Sequence, residues 1–162
     1  MSNIIEFEFK HNSTFMVFLF LALCTELILI NLGIPGNLIP NFVMCIVFSF
    51  AYIKPVQLWL VTLAVIIGES FFSSTPILMA MMILSLYFFI TYYKINSSTI
   101  QKNFHLLSFI LITLIVYSIK ILWLIAIEFN PDISFTIIKM LVTVLLFPLF
   151  YLSTTKIIKL YK

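Results

Sequence analysis

The chain has 162 residues, 63% of them hydrophobic and 9% charged, where soluble globular domains carry about 25% charged residues. So small a polar share cannot cover a water-soluble fold and excludes one. The net charge of +3 comes from nine scattered lysines, with no arginine to offer a phosphate, which excludes a nucleic-acid footprint. Lipid is the expected solvent, and the reading is an all-α integral membrane protein forming a single polytopic domain over residues 1–162.

Six apolar spans follow one another at 13–32, 38–53, 55–72, 76–93, 104–127 and 133–154, with five as the alternative count. The second has about 16 residues, near the lower limit for crossing a bilayer, so it is expected to stand upright or against neighbouring helices. Gly33, Pro35, Gly36 and Pro40 separate the first two spans, Pro55 opens the third, Ser73, Ser74 and Pro76 precede the fourth, and Pro131 precedes the sixth. Pro148 lies inside the sixth span, where its missing N–H predicts a bend. With a cytoplasmic N-terminus, Lys10, Lys54, Lys94, Lys102, Lys156, Lys159 and Lys162 all fall on the cytoplasmic side, and Glu128 and Asp132 on the other. Glu6 and Glu8 ahead of a long first span argue against a cleaved signal peptide.

Four ionisable residues interrupt the spans: Glu26, Glu69, Lys120 and Lys139. Counted at about 1.5 Å per residue, all four belong to the outer half of the membrane. Charges in hydrocarbon are costly and are functional candidates, so one reading is an intramembrane polar cluster that receives a partner or a ligand. The other is that Glu69 ends a helix at the interface while Lys139 and Lys120 extend outward along their alkyl stems. Ala64 and Gly68, and Cys45 and Ser49, are small residues four apart that permit close helix approach or serve ordinary packing. Cys24 and Cys45 lie in apolar runs, where a thiol packs as a small hydrophobe, so neither disulfide nor metal ligation is expected. Tyr52, Trp59, Tyr92, Tyr93, Trp123 and Tyr151 suit an interfacial aromatic belt.

Chemistry-bearing motifs are missing. There is no H-E-x-x-H, G-x-S-x-G or G-x-x-x-x-G-K, and His11 and His105 fall at the membrane edge opposite the carboxylates. Nothing places a nucleophile, a base and oxyanion donors together, so the expectation is a protein that is not an enzyme and carries no cofactor.

Three segments resemble the MreD family of the bacterial rod-shape system: Pro40-Asn41 opening the second span, Gly68-Glu69 closing the third, and Thr143 to Phe150, an apolar run broken by Pro148. Glu69 stands where that family usually has Asp, and Pro76 lies near a position where it often has Gly. The resemblance implies a non-enzymatic inner-membrane scaffold with cytoplasmic termini. Its implied partners are MreC, MreB filaments, and the glycosyltransferase and transpeptidase that build sidewall peptidoglycan. It also implies six transmembrane helices in a fold similar to the substrate-binding S component of energy-coupling-factor transporters, which supplies the alternative function of vitamin or metal capture. An S component docks through small residues on its first helix, and Ala22 here has no small partner four residues away on its face.

Overall fold

The computed structural model describes residues 2–36, 38–73, 75–96, 104–127 and 133–160. Asn37, Ser74, Lys102, Glu128, Pro131, Asp132 and Lys162 lie outside them. Six helices account for nearly all of the described chain: α1 (Ser2–Asn31), α2 (Phe42–Ile53), α3 (Leu58–Phe72), α4 (Pro76–Asn96), α5 (Phe104–Ile127) and α6 (Ile133–Leu160). Helix is the local outcome because each run is apolar and closes its own backbone hydrogen bonds. The breaks follow turn chemistry. Gly33 ends α1 with φ of 77°, a left-handed conformation that costs glycine little, while α6 continues through Pro148.

α2 is the centre of the fold. Every residue from Phe42 to Tyr52 is buried, which suits a helix that is apolar all round. It packs against α1, α3, α4 and α6, and further contacts join α3 to α4, α4 to α5, α5 to α6 and α1 to α3. The surrounding helices thus follow the order α1, α3, α4, α5, α6, and the two ends of that series, α1 and α6, have at most marginal contact. Aromatic packing reinforces the arrangement. Phe15 of α1 meets Phe50 of α2 edge-on, and Phe109 of α5 stacks on Phe147 of α6 with ring centroids 3.6 Å apart.

Two sets of polar contacts mark opposite ends of α2. At its C-terminal end the buried His11 ring is hydrogen-bonded through Nε2 to the carbonyl oxygen of Lys54 at 3.0 Å. Tyr52 donates to Ser108 at 2.8 Å, and its ring contacts His105, which in turn contacts Tyr151. Tyr52 is therefore a core residue rather than part of an interfacial belt, whereas Trp59, Tyr92 and Trp123 are exposed. The Tyr87 hydroxyl of α4 secures the turn before α3, donating to the Val56 carbonyl and accepting from the Val56 N–H.

The outer faces are apolar, with Phe20, Phe71, Ile77 and Leu145 among many exposed side chains. α1, α5 and α6 contain apolar stretches long enough to cross a membrane, and α2, α3 and α4 contain shorter ones. With 12 residues α2 extends only about 18 Å. Its seclusion among other helices explains how so short an apolar helix is accommodated.

Candidate functional site

The N-terminal end of α2 is where the buried polar groups gather. A helix start exposes N–H groups that no residue of the helix can satisfy, and burying them in an apolar core is costly. Asn41 is the cap: its Oδ1 accepts from Met44 N at 2.8 Å, the usual capping geometry for Asn. Glu26, reaching across from α1, accepts from Phe42 N through Oε1 at 3.0 Å. A carboxylate at a helix N-terminus also faces the positive end of the helix dipole.

The rest of Asn41 is equally engaged. Its Nδ2 donates to Glu69 Oε1 of α3 at 2.7 Å, and its backbone N–H donates to Thr143 Oγ1 of α6 at 3.0 Å. The Thr143 hydroxyl itself donates to the carbonyl of Lys139 at 2.7 Å, while Cys45 Sγ donates to the Thr143 carbonyl at 3.5 Å. One turn of α2 is thereby connected to α1, α3 and α6.

Gly68 makes the approach of α3 possible. A Cβ added there would run into the Val43 side chain of α2, so only glycine lets the two helices sit this close. Ala64, one turn earlier, is also buried.

Glu26, Glu69, Lys120 and Lys139 line one partly enclosed cleft with Asn41 and Tyr117. Glu26, Glu69 and Lys120 are buried, and Lys139 is half-buried. Electrostatic interaction joins Glu26 to Lys139, and Glu69 to both lysines. Among the described residues no ion pair within 4 Å joins either lysine to either carboxylate. The cleft leaves about 10 Å³ for the centre of a water molecule, the scale of a single water. Two buried atoms bordering it have no hydrogen-bond partner: Glu26 Oε2 and the Tyr117 hydroxyl, which faces Thr143 without reaching bonding geometry.

Tyr117 is not among the candidates named from the sequence, and Thr143 enters there only as the first residue of the sixth-span segment. Their spacing could have found them, because Tyr117 is three residues before Lys120 and Thr143 four after Lys139, so each shares a helix face with a buried lysine. His11 and His105 sit at the other end of α2, and among the described residues no group of three or more His, Cys, Asp or Glu could hold a metal ion. Pro148 lies beyond the cluster in α6, next to the buried Phe147.

No protein-family model, curated protein or solved structure matches the chain at a significant level.

Proposed function

We propose that the chain is a non-enzymatic scaffold of the bacterial rod-shape machinery, integral to the inner membrane, with six crossings and both ends in the cytoplasm. One observation carries this reading. The three segments that resemble the MreD family meet through a single residue, because Asn41 is hydrogen-bonded to Glu69 on one side and to Thr143 on the other. Segments scattered over a hundred positions thus converge on one buried junction, which supports reading them together.

The orientation is supported by the lysine pattern. Lys10 and Lys54 lie beside His11 and its bond at the C-terminal end of α2, and the same end carries His105 and Tyr151 of α5 and α6. Lysines gathered at that end favour the cytoplasm. In this scheme the lysine-bearing face meets MreB filaments and anionic lipid, and the opposite face meets MreC and the peptidoglycan glycosyltransferase and transpeptidase. The alternative of vitamin capture is disfavoured by the cleft, since small-molecule sites are commonly about 300 Å³ or larger and this one has room for about one water.

Deletion of the gene in a rod-shaped host that carries it, with re-expression from a plasmid, tests the proposal. Rounded cells rescued by the plasmid, together with recovery of MreC on a tagged copy, are the expected result. Normal cell shape after deletion overturns it.

A further inference from the structure

The cleft at the start of α2 has an unusual balance of occupied and vacant polar groups. Glu26 uses Oε1 on the Phe42 N–H and leaves Oε2 buried without a partner. The Tyr117 hydroxyl, in a side chain 1% exposed, is in the same position. Buried polar atoms left unsatisfied are costly, and a pair of them at one cavity points to an occupant that completes them.

Size and charge restrict that occupant. Space for about one water-sized group excludes a phosphate or a ring from the interior, yet an –NH3+ group is about as large as a water molecule and offers three donors. The four formal charges already cancel, so a bare cation or a bare anion would leave one net charge in the cleft. Lys120 acts on Glu69, and the half-buried Lys139 acts on both Glu26 and Glu69. A ligand with an ammonium and an adjacent anion preserves the neutrality of the four charges, its ammonium inside against Glu26 and its anion at the mouth against Lys139.

We propose that this cleft takes the primary ammonium of an aminophosphate headgroup, the chemistry of phosphatidylethanolamine or of free phosphoethanolamine. Glu26 Oε2 and the Tyr117 oxygen accept from the ammonium, and Lys139 donates to the phosphate. The cleft is only partly enclosed, which leaves an approach for the headgroup of a membrane lipid. The inference rests on the reading of the chain as membrane-integral, and it is independent of the cell-shape role. Phosphatidylcholine is discriminated against because its trimethylammonium is larger and has no N–H to donate, and phosphatidylglycerol because it has no cation.

The test titrates the full-length protein in detergent with phosphatidylethanolamine, phosphatidylcholine and phosphatidylglycerol of equal chain length, counting bound lipid by native mass spectrometry. One equivalent of phosphatidylethanolamine, bound at least about tenfold tighter than the other two, is expected. Glu26→Gln and Lys139→Met each remove that preference, whereas Leu145→Ala on the exposed face of α6 retains it. Glu26→Gln keeps an acceptor for Phe42 N–H, and Lys139→Met supplies a second, half-buried position should the first variant fold poorly. Competition by free phosphoethanolamine supports the site with a soluble source, and no competition beside retained lipid preference supports the lipid. Equal binding of all three lipids, or an unchanged preference in both variants, overturns the proposal. Release of the protein from membranes by alkaline carbonate would instead overturn the membrane reading beneath it.

Discussion

Asn41 and Glu69, 28 positions apart, are joined by a buried 2.7 Å hydrogen bond that ties the first turn of α2 to the last turn of α3. The same side chain caps α2, so its loss removes two interactions together. Asn41→Ala leaves the Met44 N–H and a Glu69 oxygen without their partner, and a loss of about 1–3 kcal/mol for each orphaned group is expected. Thermal unfolding in detergent measures it, and a melting temperature equal to that of the parent chain would remove Asn41 from its organising role.

Gly68→Ala is expected to destabilise by about 1–3 kcal/mol, the range for overpacking, because its new methyl group collides with Val43. The collision is specific, so Val43→Ala combined with Gly68→Ala is expected to recover part of the loss in a double-mutant cycle. Strict additivity of the two changes would show that the helices do not approach each other at this point.

Glu26 separates a geometric requirement from a charge requirement. Glu26→Gln retains an oxygen for the Phe42 N–H, whereas Glu26→Ala orphans that donor. The expected order of stability is parent, then Gln, then Ala, with the Ala variant lower than Gln by about 1–3 kcal/mol. Equal melting of the Gln and Ala variants would mean that the α1 carboxyl does not cap α2.

Tyr87→Phe is expected to loosen the turn between α2 and α3, because the hydroxyl both accepts from and donates to Val56. Faster hydrogen exchange at the Val56 amide is the specific readout. An unchanged exchange rate there would assign the turn's order to Pro55 alone.

Tags at the two termini, probed from either side of sealed vesicles, are expected to become accessible from the same side. The lysine distribution gives that arrangement only for an even number of crossings. Tags on opposite sides would change both the crossing number and the grouping of the charges.

Much of the helical pattern was legible because long apolar runs have clear punctuation. α5 begins and ends at the expected residues, and α4 begins at Pro76 as expected. Within the second apolar span, 38–53, α2 itself covers Phe42–Ile53 and residues 38–41 form the turn that opens it, since Asn41 is held as a cap by partners remote in sequence. Its central position was not legible, because a helix apolar on all sides reads the same whether protein or lipid surrounds it. Glu26, Glu69, Lys120 and Lys139 stood out as charges in apolar runs, but Tyr117 and Thr143 did not, since hydroxyls are unremarkable in composition until a neighbour gives them a partner. Tyr52 misled for the related reason that an aromatic near a helix end suits either an interface or a core.

The connections made by Asn41 also impose an order of assembly. Its amide partner Glu69 follows it by 28 positions, but its backbone partner Thr143 follows it by 102, on α6. The innermost helix must therefore wait, incompletely sealed at one end, until α6 has been made, and a chain truncated before α6 would lack the hydroxyl that closes it.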